Sequence, residues 1–294
     1  MNLEHLNSYP ATKVRALLGL TLVALSELLA QALPELVRRR QAERTQRPDR
    51  RRAVGAGRRR RLKPYQEGLL TVVYWRHNVA QAVVGEVFGV STDTSENTFP
   101  EVVFVLREVC PAQRWNAEKH WKKNEPRGTP DEVERVLIDS FESPVRRPSL
   151  PERQKRVYSG KKKRHTLKSQ VVTDAKGEIL ALDSGHRGPT ADKRLYEQSP
   201  VEAHYPSAQK QGDLAYQGLA GVRVPHKQPK GGRLTEEQRA ENRRLAAVRV
   251  PVEHGIRRLK GGRIVRDDYR IALGLFPLIA STVVGLVQLV RIVG

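Results

Sequence analysis

Three carboxylates stand out by position. Asp139 directly follows the apolar run Val136-Leu137-Ile138, Asp213 lies in GDLAYQG where a strand would meet a loop, and Glu253 lies in the helical segment RVPVEHGIRRLK. Acidic residues at strand ends and on an adjoining helix can converge on one point of an α/β domain. Carboxylates brought that close repel unless neutralised, and hard divalent cations with oxygen ligands do this. A pair of such ions would activate a water or a 3′-hydroxyl and stabilise the leaving oxygen of a phosphodiester displacement. Arg249, Glu253, Arg257 and Lys260 follow one another at helical spacing, which gathers them on one face. Surface salt bridging would explain that face. A metal-binding glutamate with cations one turn to either side, serving a site that handles phosphate, would explain it as well.

The whole chain favours a polyanionic partner. Its 294 residues carry a formal net charge of +21, which points to nucleic acid or an anionic membrane surface without choosing an activity. The single cysteine, Cys110, excludes an intramolecular disulfide and reads as a buried, inert thiol. With no cleavable signal pattern, the chain fits the cytoplasm. Two apolar stretches, 16–37 and 271–293, approach the length of a membrane span. Glu27, Gln31 and Pro34 in the first, and Pro277, Gln288 and Arg291 in the second, would be costly inside a bilayer. Both stretches are therefore expected to be packing helices, with no membrane partner.

The elements that must position the carboxylates follow in order. A helical pattern covers Thr12 to Val37, and an arginine-dominated stretch follows from Arg38 to Lys63, too poor in apolar residues for a core. That stretch is expected to be a flexible arm tracking phosphates. Between Ala80 and Thr98, Ala82, Val83, Val87 and Phe88 would line one face of a short helix that Gly89 ends. Val90 would fill the turn, and Ser91 or Thr92 would cap a second helix that Pro100 cuts short. This is helix-turn-helix spacing, in which the second helix reads the major groove.

Prolines 111, 126 and 130 with Gly128 mark a boundary. Beyond it come a strand from Val133 to Asp139, a hairpin of Lys168–Thr173 and Ile179–Leu182, and a short helix over Thr190–Gln198. A long helix capped by Thr235 and Gln238 then runs through Leu259. That is an α/β order with mixed pairing. The run Lys161-Lys162-Lys163-Arg164-His165 at the hairpin reads as phosphate contact, or as an edge kept from aggregating by its charge. His165 reads as DNA-facing or structural, and Trp75, Trp115 and Trp121 as packing residues.

At this point the residues resemble a known family, the insertion-sequence DDE transposases. Their C-terminal motif is Y-x2-R-x3-E-x6-K; Arg249, Glu253 and Lys260 fit it, and Ala246 stands where the tyrosine would be. The insertion-sequence-five group is closer still. VLIDSFESPVRRP is similar to its first-aspartate segment, YSGKKKRHTLKSQVVTDAKGEIL to its basic hairpin, and GDLAYQGL to its second-aspartate segment. PHKQPKGGRLTEEQ with RVPVEHGIRRLKGGRIVRDDYR is similar to its third-residue region, and YWRHNVAQAVVGEVFGVS to its helix-turn-helix. These run in the family's order from Leu62 to Arg270.

The resemblance implies an α/β, RNase H-like mixed-sheet catalytic domain (130–294) preceded by an all-α helix-turn-helix region (63–125) and an N-terminal helix and arm (1–62). It implies Asp139, Asp213 and Glu253 as the catalytic, metal-binding triad for Mg²⁺, with Mn²⁺ able to substitute. Asp192, in GPTADKRL, is second to Asp213. Lys161, Lys162, Lys163, Arg164, Arg249, Arg257 and Lys260 are the expected DNA contacts. The expected partners are duplex DNA, as transposon ends and as target, and further copies of the chain in a homodimer or larger synaptic complex. Ala215 departs from the usual glycine. Pro251, which removes a helical N–H, and Pro100 keep open an alternative: a decayed copy that only binds DNA.

Overall fold

The computed structural model describes residues 3–46, 60–110, 115–116 and 133–293. They fall into two compact units, one of residues 1–111, 262–264 and 285–294, the other of 112–261 and 265–284.

The first unit is helical: α1 (Leu3–Asn7), α2 (Ala11–Leu18), α3 (Leu22–Thr45), α4 (Pro64–His77), α5 (Gln81–Phe88) and α6 (Thr92–Val109). The single helix expected from Thr12 is broken at Gly19, whose φ of 70° ends α2. Thr21 then caps α3, accepting from the Ala24 N–H at 3.1 Å. Contrary to the expectation of an arm from Arg38, α3 runs unbroken to Thr45. The physical reason is pairing. The nearly buried Arg40 donates to Glu67 on α4 and Glu101 on α6, and Arg60 donates to the same two carboxylates from the other end of the basic stretch. The arginines between positions 47 and 59 lie outside the described residues, as do Trp121 and the boundary prolines.

Within the helix-turn-helix, Gly89 adopts φ 67° and the Ser91 hydroxyl accepts from the Thr94 N–H at 3.3 Å, as the spacing predicts. The buried face of α5 differs from the expected one. Val84, Gly85 and Phe88 face inward, while Ala82, Val83 and Val87 are exposed. Gly85 is required by the turn, since a Cβ there would stand 2.7 Å from the Val90 carbonyl oxygen. Pro100 does not shorten α6, which continues nine residues beyond it to Val109. Phe99, Val102, Val103 and Leu106 are buried around that point. At about 1.5–3 kcal/mol for each buried side chain, they outweigh the roughly 3 kcal/mol an interior proline costs.

The second unit is built on a mixed sheet of β1 (Trp115–Asn116), β2 (Arg135–Pro144), β3 (Tyr158–Ser159), β4 (Arg164–Asp174), β5 (Ile179–Arg187), β6 (Gln209–Gln211) and β7 (Val222–Arg223). The order is β1-β5-β4-β2-β6-β7, with β3 paired to β4. β4 is antiparallel to both β2 and β5, whereas β6 is parallel to β2 and β7 to β6. This arrangement is the RNase H-like mixed sheet. Helices α7 (Pro151–Val157), α8 (Asp192–Gln198) and α9 (Val201–His204) lie between strands, and α10 (Glu236–Leu259) follows them.

One part of the core gathers Val136 and Ile138 of β2, Val172, Leu180 and Tyr196 with Val201, Tyr205 and Tyr216. α10 packs on β2 and β4. Its start carries the expected reciprocal cap: the Gln238 N–H donates to Thr235 Oγ1 at 3.2 Å, and the Thr235 N–H donates to Gln238 Oε1 at 3.0 Å. Pro251 lies inside α10 without ending it. Both prolines that favoured a decayed copy thus sit within continuous helices.

Two further helices, α11 (Arg263–Arg266) and α12 (Phe276–Val293), close the chain. The segment Leu273–Ile292 is long and apolar enough to cross a membrane, with mean hydropathy 2.1, yet 61% of it is buried within the protein.

Candidate active site

The register of the sheet explains why two aspartates far apart in the chain feel one another's charge. β2 and β6 run parallel, and their last paired residues are Leu137 and Gln211. Two residues further along each strand stand Asp139 and Asp213. β2 does not end at Asp139, as the apolar run suggested, but continues to Pro144 along β4. What ends there is β6, so the edge of β2 opens beyond Leu137 and its burial relaxes from Ile138 to the half-buried Asp139 and Ser140. Ligands of open α/β sheets bind at such carboxyl-end crevices. Asp213 caps the short 3₁₀ turn Leu214–Tyr216, accepting from the Ala215 N–H at 2.9 Å.

α10 brings the third carboxylate. Its Gly255 packs against Thr173 of β4, where a Cβ would stand 3.3 Å from Thr173 Cγ2. The helix end is fixed by Arg258, which donates to the Gly177 carbonyl of the β4–β5 turn. Glu253 is exposed on this helix and lines a cavity of about 280 Å³ with Asp139, Ser140, Glu142, Lys168, Asp192 and Lys260, among others.

Electrostatics tie the carboxylates together. Burial pushes Asp139 above the usual carboxylate range. The Ser140 N–H and the Arg249 charge pull it down, while the Asp213 and Glu253 charges push it up further. The Asp139 carboxylate accepts from the Ser140 N–H at 2.7 Å and from Arg249 Nη2 at 3.1 Å. Beneath them the buried Tyr216 hydroxyl is pushed far up by burial and by the charges of Asp192, Asp139 and Asp213. Oxygen-only donors crowding one crevice, one of them destabilised as an anion, suit a hard divalent cation. Among the described residues, however, no three His, Cys, Asp or Glu side chains are placed to share one ion.

The basic residues divide. Lys161 and Lys162 line the cavity, and Lys260 joins them from the end of α10. Burial and the Lys162 charge lower the Lys260 pKa against the pull of Asp139, and its ammonium stands 5.3 Å from the Phe141 ring centre. Lys163 takes the left-handed turn position at φ 51° and is not among the residues lining the cavity, and Arg164 pairs with Asp268. Arg257 is exposed and outside the cavity lining. Helical rotation of about 100° per residue accounts for that. Taken from Glu253, Arg249, Ile256 and Lys260 rotate to one side, whereas Arg257 rotates to the other.

Among the cavity residues not singled out from sequence, Ser140 and Lys168 both engage Asp192. Ser140 donates its hydroxyl to Asp192, and Lys168 of β4 places its Nζ 3.2 Å from Asp192 Oδ1 and 2.6 Å from the Thr190 carbonyl oxygen. Lys168 lies in a strand of mixed composition, RHTLKSQVVTD, which gave no local signal to single it out.

Comparison with known proteins agrees with this architecture. Residues 138–288 match the family model for DDE superfamily endonucleases, and residues 60–111 match that for the helix-turn-helix of DDE superfamily endonucleases. The chain is 32% identical over 236 residues to a transposase assigned to insertion sequence element IS702 of Microchaete diplosiphon, covering 78% of this chain and 82% of that protein. It is 26% identical over 217 residues to one assigned to element IS112 of Streptomyces albus G, covering 73% and 76%. No solved structure matches significantly. The chain therefore belongs to the transposases of the DDE superfamily endonuclease family, with the helix-turn-helix domain that accompanies them.

Proposed function

We propose that this transposase binds the ends of its own element, cleaves DNA strands there and joins the freed 3′-hydroxyl to target DNA. The observation that carries this reading is the electrostatic convergence of Asp213 and Glu253 on the half-buried Asp139, at a cavity lined by Asp139, Glu253, Lys161, Lys162 and Lys260. Asp139, Asp213 and Glu253 are the residues that would hold the divalent cations, Mg²⁺ or Mn²⁺ in its place. Such ions supply activation of the attacking hydroxyl and neutralisation of the leaving oxygen. The chain's own part is positioning. Lys161, Lys162 and Lys260 hold phosphates at the mouth of the crevice, while Arg249 keeps Asp139 oriented through its 3.1 Å bond. In this reading Lys163, Arg164 and Arg257, outside this cavity, contact DNA further along the backbone.

In this reading α6 enters the major groove at the transposon end. Because two ends must be joined, the working form is a homodimer or larger assembly on duplex DNA, acting in the cytoplasm.

The test is strand nicking of DNA carrying the element's ends, with Mg²⁺ or Mn²⁺, by wild type and by Asp213→Asn, Asp192→Asn and Glu253→Gln. Loss of cleavage in the first and third with cleavage kept in Asp192→Asn supports the triad. Loss in Asp192→Asn with cleavage kept in Asp213→Asn reverses the second aspartate. End-specific binding without any cleavage by wild type refutes the catalytic reading.

A further inference from the structure

Two aspartates compete for one role beside Asp139, and the structure separates them by their surroundings. Among the described residues, the Asp213 carboxylate accepts a single hydrogen bond, from the Ala215 N–H, just beyond the end of β6. Asp192 is held by side chains. The Ser140 hydroxyl donates to its Oδ1, and Lys168 Nζ stands 3.2 Å from the same oxygen. Lys168 is fixed in turn. Its side chain is 9% exposed, its ammonium donates to the Thr190 carbonyl at 2.6 Å, and its strand position faces Glu142 across the β2–β4 ladder. A buried ammonium against a carboxylate neutralises it and repels any second cation brought to the same oxygen.

We infer that Lys168 is a positioning residue of the crevice: as the fixed counter-ion of Asp192, it keeps that carboxylate out of the cation-binding set and leaves Asp213 to complete it. This rests on the proposed cation site at Asp139, Asp213 and Glu253 and assigns its membership. Lys168 touches no reacting group in this account; it acts through Asp192. Removing its charge frees a carboxylate already lining the cavity beside Asp139 and Glu253.

The experiment is titration of the full-length protein with Mn²⁺ alone, read by the electron paramagnetic resonance signal of free Mn²⁺. In wild type, Asp192→Asn leaves Mn²⁺ affinity unchanged, whereas Asp213→Asn weakens it. Lys168→Met tightens it by about tenfold, within the range by which residues around metal ligands tune affinity. Lys168→Met with Asp192→Asn returns to the wild-type value, and Lys168→Arg, which keeps the charge, stays there. A merely structural lysine would give neither the tightening nor its cancellation. If Lys168→Met does not fold, Lys168→Gln carries the same comparison. Weakening by Asp192→Asn in the wild-type background, as strong as that of Asp213→Asn, overturns the inference while the site stands. Unaltered Mn²⁺ affinity in both Asp139→Asn and Glu253→Gln overturns the site itself and this inference with it.

Discussion

Glu67→Gln is expected to unfold the helical unit well before the sheet domain. Glu67 is 1% exposed on α4 and accepts from Arg40 Nη1 at 2.7 Å and from Arg60 Nη1 at 2.9 Å. The two pairs are unequal. Arg40 and Glu67 side chains are 10% and 2% exposed, while Arg60 is 41% exposed. Removing one partner of a buried pair costs about 3–5 kcal/mol, because the other charge stays buried. The low end applies here, since Arg40 keeps its Nη2 bond to Glu101 at 2.9 Å as well as its Nε bond. The exposed Arg60 pair adds less than about 1 kcal/mol. A loss of about 3 kcal/mol, at roughly 4 °C per kcal/mol for a unit of this size, lowers the midpoint by about 12 °C.

The assay uses the chain's only cysteine. Cys110 is buried in this unit, so its alkylation as temperature rises reports the helical unit alone. A shift below about 3 °C in Glu67→Gln would refute the reasoning. So would a larger loss from Glu101→Gln, whose side chain is 29% exposed. Acid should act in the same direction. Burial pushes the Glu101 carboxyl up, but hydrogen bonds and charge from Arg40 and Arg60 hold it below the usual range. A depressed carboxylate contributes stability above its unfolded pKa and loses it as pH falls through the folded one, so protection of Cys110 weakens below about pH 4.

Other outcomes follow from single contacts. Burial pushes the Cys110 thiol up to about 12, so it should resist iodoacetamide at pH 8 in the folded protein and react once unfolded. Gly177 has φ 76° and a Cβ there would stand 2.9 Å from the Pro251 carbonyl oxygen. Gly177→Ala should therefore cost about 1–3 kcal/mol in denaturant unfolding, and unchanged stability would contradict the packing of the β4–β5 turn on α10. Lys161→Ala and Lys162→Ala should each reduce the slope of log affinity against log salt by about 0.9 on any DNA duplex. A loss confined to one sequence would show base contact instead.

Some of this protein was legible in its residues. Apolar periodicity and caps depend on near neighbours, so the Gly89–Ser91 turn, the Thr235–Gln238 cap and the β4–β5 hairpin could be read locally. Position in the chain marked Asp139, Asp213 and Glu253; the register of β2 on β6 carries the chain from Gln211 to Asp213 on the side of Asp139, and α10, packed on β4 at Gly255, brings Glu253 to the cavity that Asp139 lines. Local rules failed where distant partners decided. Proline costs at Pro100 and Pro251 are overcome by burial along α6 and α10. The arginines from Arg38 to Arg40 looked like an arm because Glu67 and Glu101, which make Arg40 part of a core, lie 27 and 61 residues away. Lys168 was invisible for the same reason. Its meaning lies in Asp192, and only the folded sheet, by placing β4 beside Ser140 and the start of α8, brings a buried charge to that carboxylate.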